Sequence, residues 1–539
     1  MPGSPKTRIA LSELFICLYF ILMFSMRMWG VYESKALYGP LLLLGFGLWG
    51  ISLLLTEHTL FEWLWIAALM LLAGLVYVSS GEKGLLMYFA LMIGMKVANA
   101  KRLIKWGAVF GSAGMLVMSF LTAFGFIEDA VYIQKRSFVG DVLRHALGSP
   151  HPNTLGTSFT IIAMMVLFYI GHENKKKVWK ASAILFAIAC YIYLYGQSRT
   201  GIAVTTGVLA LNIIYTYRRK IGKPEKLVLT LLIPVTVLIS VVFPYFFTDE
   251  TYKKVKALDP TFFVRFRYGH YYFMNNKVTA FGGRLANPDD KLYGIDPSNL
   301  QLLLQMGFIA FVLVTCMWAL LIYRDVKENR IDELIIVFSL LVMGITDPLL
   351  YNISFKNIAF VFIGAALYRY SDKVTEKLPE IFAKKIRIIN IKNAFLPAES
   401  KESREVIMDG HLLIPCIAAA LFLLIAILGY SLTPNPDYVL LDRNTREHTL
   451  IKNLEGRTYT RDEIAQIKDE GNLVINYSGE DELMYAYYSR EDAPVRGGYY
   501  APNLARMEKV RFWVSVFVWG TAFCAIISRG IWRGKNEKK

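Results

Sequence analysis

The stretch LFEWLWIAALMLLAGLVYVS, Leu60–Ser79, carries a single charged side chain, Glu62. Its length, about twenty residues, is what the hydrocarbon core of a bilayer requires. Once out of water, such a segment can satisfy its backbone donors and acceptors only as a helix. Comparable apolar runs lie near Ile9–Met26, Leu37–Leu55, Gly84–Val97, Trp106–Ile127, Leu155–Gly171, Trp179–Gly196, Ser198–Tyr217 and Leu227–Phe247. Others lie near Asn299–Tyr323, Glu333–Leu350, Phe355–Tyr370, Leu412–Tyr430 and Phe512–Ser528. Together they predict roughly fourteen transmembrane helices. The composition agrees: 55% of the 539 residues are hydrophobic and only 19% are charged. The expectation is an all-α polytopic membrane protein.

Loop charge orients these spans. Lys101-Arg102, Lys175-Lys176-Lys177, Arg218-Arg219-Lys220, and Arg324 with Lys327 and Arg330 fall at every second crossing, and Lys373–Arg404 and Arg529–Lys539 keep the alternation. All become cytoplasmic if both termini are cytoplasmic. Three long segments then face outward: Glu128–Asn153, Thr248–Ser298 and Ser431–Arg511. Residues 1–370 read as a membrane core of about twelve helices, 371–410 as a polar cytoplasmic linker, and 411–539 as a two-helix hairpin carrying a small α/β module at 431–511. Within that module, Thr460-Arg461-Asp462-Glu463 has the pattern of a capping box. Leu473–Tyr477 reads as a strand, and Arg496-Gly497-Gly498 as a turn. The module is expected to be separable, so that a chain ending near Tyr370 would still insert and retain some activity.

The formal net charge of +16 is spread over short loops that orient helices, so it argues little for nucleic acid. The five cysteines, Cys17, Cys190, Cys316, Cys416 and Cys524, lie in apolar segments without disulfide or metal-ligand spacing and read as small buried hydrophobes. Lys6 and Arg8 precede an apolar run with no A-x-A site, which reads as a retained first helix. There is no Gly-rich lysine loop for nucleotide and no metal-binding histidine pattern, so no cofactor or metal is expected.

The chemistry-bearing candidates break the charge rule. Arg144, His145, His151, Arg199, Arg265, Arg267, His270 and Arg284 all fall on the outer side, where cations beside a bilayer call for an anion. Arg199, in Gln197-Ser198-Arg199-Thr200-Gly201, reads as a phosphate fork or as a snorkelling turn residue. In Arg144-His145-Ala146-Leu147-Gly148-Ser149-Pro150-His151-Pro152-Asn153-Thr154, the arginine suits an anion and the histidines a sugar or a proton. The plainer reading is a stiff loop with Asn153 or Thr154 as a helix cap. In Arg265-Phe266-Arg267-Tyr268-Gly269-His270-Tyr271-Tyr272, cations alternate with rings, as a glycan on a diphosphate or an interfacial belt would require. Asp296, in Leu292-Tyr293-Gly294-Ile295-Asp296-Pro297-Ser298-Asn299-Leu300, reads as a general base or as a helix cap. Asp347-Pro348 is a fifth candidate that a proline kink would also explain.

In this order, His151-Pro152-Asn153-Thr154-Leu155-Gly156, Ser198-Arg199-Thr200-Gly201 and Asp296-Pro297-Ser298-Asn299-Leu300, leading into Leu303, Leu304 and Met306-Gly307, resemble the O-antigen ligase/polymerase superfamily. The closest resemblance is to the polysaccharide repeat-unit polymerases of Gram-positive bacteria, over roughly Ile9–Tyr370. Ligases of the superfamily carry a His where this chain has Asp296. Pro297 and Asn299 stand where the polymerases usually have Asn and Tyr, and 371–539 has no counterpart in the resemblance. The resemblance implies a bacterial plasma-membrane enzyme with an outward-facing cavity and metal-independent glycosyl transfer from an undecaprenyl-diphosphate oligosaccharide. Chain-length regulator and flippase proteins would be its companions. The site expected from the residues is Asp296, His270 and Arg199 for catalysis. Arg144, His145, His151, Asn153, Arg265, Arg267, Arg284 and Asn299 would bind substrate. A ligase acting on another acceptor, or a flippase of lipid-linked sugars, are the alternatives.

Overall fold

The computed structural model describes residues 8–536 apart from 10, 34, 137–139, 173, 257, 287–294, 387, 389–395, 398–412, 434–437, 442–447, 452–473, 479–482, 488–497 and 501. The chain is an all-α multi-pass membrane protein. Ten described helical stretches are long and apolar enough to cross a bilayer: Leu11–Trp29, Tyr38–Leu55, Leu60–Ser80, Ala100–Ala123, Pro152–Ile170, Lys175–Gly196, Arg199–Arg218, Lys223–Phe246, Phe308–Lys327 and Met507–Ile527. Cys17 is buried as expected, whereas Cys190 and Cys316 are exposed on their helices.

The chain divides into two compact units. The first comprises residues 1–115, 156–190 and 198–400. Its helices are α1 Leu11–Ser25, α2 Tyr38–Leu55, α3 Leu60–Ser80, α4 Gly84–Gly94 and most of α5 Ala100–Ala123. It continues with most of α6 Pro152–Ile170 and of α7 Lys175–Gly196, then α8 Arg199–Arg218, α9 Lys223–Val237, α10 Asp249–Val255 and α11 Pro260–Asn275. Four more follow: α12 Ser298–Gln301, α13 Phe308–Lys327, α14 Ile331–Met343 and α15 Ala359–Thr375. The capping box expected nowhere in this unit is in fact present at Thr59, whose hydroxyl takes the Glu62 amide while Glu62 reaches back to the Thr59 amide. That exchange explains why a charged side chain opens the apolar run of α3.

Several expected spans differ. α4 is 11 residues long, about 16 Å, too short to cross. It is buried on every side, with Met87–Phe89 fully inaccessible. α15 can approach α4 this closely because it presents Gly364; a Cβ there would lie 2.4 Å from the Met92 carbonyl oxygen. The run 333–350 holds only the 13-residue α14 and a 3₁₀ turn, Pro348–Leu350. The run Asn299–Tyr323 is not one straight helix. A turn of α-helix gives way to a π-turn at Leu302–Met306, and Gly307, at φ 94°, breaks the chain before α13. The break has a cause. The segment 279–282 packs against it, and the Thr279 and Ala280 carbonyls accept from the Phe308 and Ile309 amides at 2.9 and 3.2 Å. The first donors of α13 are therefore satisfied by a neighbouring segment rather than by a preceding turn. Gly282 makes room for this, since a Cβ would stand 2.0 Å from the Gln305 carbonyl.

The second unit comprises residues 116–155, 191–197 and 401–539. It opens with an antiparallel hairpin, β1 Val131–Arg136 and β2 Gly140–His145. The helices α16 Leu413–Leu432 and α17 Pro502–Asn536 pack together. Between them lie strands β3 Tyr438–Leu441, β4 His448–Ile451, β5 Val474–Ser478, β6 Leu483–Tyr487 and β7 Gly498–Tyr500, in an antiparallel sheet of order β4-β3-β7-β6-β5. Thr460–Glu463, Leu473, Arg496 and Gly497 lie outside the described residues.

Candidate functional site

In the first unit two Asp-Pro turns lie side by side. Ser298 stitches them: its amide donates to the Gly344 carbonyl at 2.8 Å, and its hydroxyl donates to the Asp347 carbonyl at 2.6 Å while accepting from the Leu350 amide at 3.3 Å. Arg265 of α11 stands over the pair. Its Nε is 3.4 Å from Asp296 Oδ2, and its Nη1 donates to the Thr346 carbonyl. Asp347 is within electrostatic reach of both Arg265 and Lys356.

Asp296 is not spent on capping. The N-cap of α12 is Pro297, and no side chain caps that helix. The Asp296 side chain is 37% accessible, although the carboxyl lies in protein-dense surroundings. Burial pushes its pKa up to about 6; Arg265 opposes the rise and Asp347 adds to it. A carboxylate in this state is ionised at neutral pH yet more basic than an ordinary aspartate, as a general base should be.

The other expected residues of this unit find internal partners. Arg199 opens α8, where the Ser198 hydroxyl caps the Gly201 amide at 3.4 Å. Its guanidinium pairs with Asp259 at 2.7 Å, with 41% and 32% of the two side chains exposed. Arg267 pairs with Asp249 through two contacts, 2.7 and 3.3 Å, and lies over the Tyr252 ring. Open pairs of this kind are worth about 0–1 kcal/mol, so a diphosphate can replace either carboxylate at little cost. Arg284 is exposed and has no ion pair among the described residues. His270 Nδ1 lies 3.1 and 2.9 Å from the Pro244 and Tyr245 carbonyls. Carbonyls only accept, so this nitrogen is the donor. Five residues apart on a helix means roughly 140° apart around its axis, and no described contact joins His270 to Asp296. Asn299 is buried. Its amide donates to Ser240 at 3.0 Å and its carbonyl accepts from Tyr351 at 3.4 Å, so it braces α12.

Two pieces of the sequence resemblance meet directly. A Cβ on Gly156 would lie 2.8 Å from Ser198 Cβ, and one on Gly201 would lie 3.0 Å from Gly156 Cα. The two glycines let the starts of α6 and α8 touch backbone to backbone.

The remaining candidates belong to the second unit, where they hold the hairpin together. Arg144 donates to the Gly196 carbonyl, Gln134 and Asn153 at 2.9, 2.8 and 2.5 Å. His151 Nδ1 accepts from the Asn153 amide at 3.1 Å, and the Tyr132 ring packs edge-on to it. His145 lies between two carboxylates, Asp129 at 2.6 Å and Glu508 at 2.8 Å. Burial opposes the charged ring, but Glu508 and the hydrogen bond to Asp129 outweigh it and hold the pKa above its ordinary value. With a carboxylate facing each ring nitrogen, the imidazole ties the hairpin to α17. Arg511 of α17 donates to Glu508 and to the carbonyls of Leu143, Leu194 and Tyr195.

The carboxylate partners Asp259, Asp249, Asp129 and Glu508, and Lys356, were missed by sequence reasoning. The Asp-Pro pair at 347–348, echoing 296–297, was the one available signal for Asp347. Among the described residues no three His, Cys, Asp or Glu side chains converge as metal ligands. No protein-family model, curated protein or solved structure matches this chain.

Proposed function

We propose that the chain is a membrane glycosyltransferase that polymerises undecaprenyl-diphosphate-linked oligosaccharide units on the outer face of a bacterial plasma membrane. The observation that carries the reading is Asp296: uncapping, beside Arg265, with its pKa raised to about 6 at the mouth of a broken helix. In the reaction, the hydroxyl at the free sugar end of one unit gives its proton to Asp296. Its oxygen bonds to the anomeric carbon of a second unit, and the bond from that carbon to the diphosphate oxygen breaks. Undecaprenyl diphosphate leaves with the bonding pair. Arg199 and Arg267, on exchangeable carboxylate partners, take up the charge that grows on it, and Arg265 holds Asp296 in place.

Arg199→Lys tests the diphosphate role. Lysine keeps the charge but loses the planar fork, so transfer should fall by roughly 10–100-fold with normal yield and elution. Asp259→Asn removes the charge of the resting partner while its side-chain oxygen can still accept from the Phe262 amide at the start of α11, and should leave transfer within about threefold of wild type. Normal polymerisation by the lysine variant would place the diphosphate elsewhere.

Orientation is tested by cysteine accessibility. With both termini cytoplasmic, an impermeant reagent outside the cell should label Ala286→Cys and spare Lys175→Cys, both of which are exposed positions. The reverse pattern would invert the topology.

A further inference from the structure

At the other end of α8, far along the chain from Arg199, the first unit holds an apolar slot of about 250 Å³ between α8, α9 and α14. Leu211 and Tyr215 line it from α8, Val228 from α9, and Leu334, Ile335 and Phe338 from α14. The α8–α9 loop edges it and contains Ile221, which also lines the slot. Around that loop stand Arg218, Arg219, Lys220, Lys223 and Lys226, all exposed. Arg218 is committed to Glu225, the one acidic side chain in the slot wall. Arg219, Lys220, Lys223 and Lys226 have no ion pair among the described residues. The neighbouring acidic groups are already engaged: Glu328 and Glu333 with Arg330, and Asp332 with His172. The loop itself is fixed, because Asn329 accepts from the Ile221 amide at 3.1 Å and donates to the Arg219 carbonyl at 3.1 Å.

We infer that this is a binding site for one anionic phospholipid, its acyl chain in the slot and its phosphate on the cations of residues 219–226. A cluster of basic residues around a pocket between membrane helices recognises anionic head groups, and the apolar lining supplies the hydrophobic component that a soluble phosphate lacks. The inference does not depend on the glycosyltransferase reading.

The test uses the full-length protein, stripped of lipid in detergent and titrated with dioleoyl phosphatidylglycerol or dioleoyl phosphatidylcholine, with retained lipid counted by native mass spectrometry. Phosphatidylglycerol should be held at least about tenfold more tightly, with each Lys or Arg near the head group contributing. Changing Arg219, Lys220, Lys223 and Lys226 together to Gln should reduce that preference to within about threefold. Leu334→Trp and, independently, Val228→Trp fill the slot from opposite walls and should each weaken phosphatidylglycerol retention by about tenfold or more. Two tryptophan variants are used so that a failure of one to fold leaves the other to decide. Equal retention of the two lipids by the wild-type protein would overturn the inference. So would undiminished retention in a folded tryptophan variant, or displacement of the lipid by excess glycerol 3-phosphate, which would mark a head-group site alone.

Discussion

Asp296→Asn is expected to lower turnover by roughly 10²–10⁴-fold, the range a general base contributes. Binding of the lipid-linked substrate should change far less, because the amide keeps the size of the carboxyl and loses only its capacity to take a proton. The pH profile gives a second readout. With a folded pKa of about 6, the base is ionised above that value, so the wild-type rate should fall about tenfold per pH unit below it. Stability has the opposite sign. The folded carboxyl binds a proton more readily than the unfolded one, whose pKa is about 3.9, so ionisation of Asp296 lowers stability as pH rises from about 4 to about 6. The asparagine variant is spared that loss and should be at least as stable as wild type at pH 7. A purely helix-capping aspartate would behave otherwise, with a modest stability change and a near-normal rate, since asparagine caps about as well. His270→Gln is the matched comparison. Near-normal turnover in Asp296→Asn with collapse in His270→Gln would move the base to the histidine.

The largest effect on stability is expected at Arg511→Met. The arginine is 99% buried, with 1% of its side chain exposed. Its loss leaves Glu508 short of a cationic partner and strips a donor from the carbonyls of Leu143, Leu194 and Tyr195. Breaking a buried pair from one side costs about 3–5 kcal/mol, which should appear as a marked drop in the thermal transition in detergent. His145 keeps a second carboxylate, Asp129, so the hairpin's own tie survives. An unchanged transition would show that these contacts contribute nothing net. The same contacts bear on a chain ending near Tyr370, which is expected to insert and retain some transfer activity. Such a chain lacks Glu508 and Arg511, so His145 would keep only Asp129 and the Leu143 carbonyl would lose its Arg511 donor, while the partners of Arg144 would remain.

The membrane-spanning architecture is legible from apolar runs of about twenty residues, because the bilayer imposes that length on every spanning helix. The break at Gly307 is not, since it depends on the segment 279–282 packing against the chain from outside the run. Asp296, Arg199 and Arg265 stand out because charge beside a bilayer is conspicuous in any sequence. Their partners do not. His145 meets Glu508 across 363 residues of chain, and no spacing rule connects positions so far apart. The outer cations read as awaiting an anion; most of them in fact rest on internal acceptors, and exposure is what separates exchangeable pairs from structural ones. Arg199 and Arg267 lie on open pairs, whereas Arg144 is buried among three acceptors. Sequence gives the charge of a residue but not its accessibility.

The central claim is the joining of lipid-linked oligosaccharide units, and reconstitution tests it most directly. The purified protein, placed in vesicles with an undecaprenyl-diphosphate oligosaccharide as its only substrate, is predicted to produce a ladder of lipid-linked products spaced by one repeat unit. The ladder should be absent with Asp296→Asn. Movement of the substrate across the bilayer without any change in its length would contradict the account and mark a flippase; a single transfer that requires an added acceptor would mark a ligase instead.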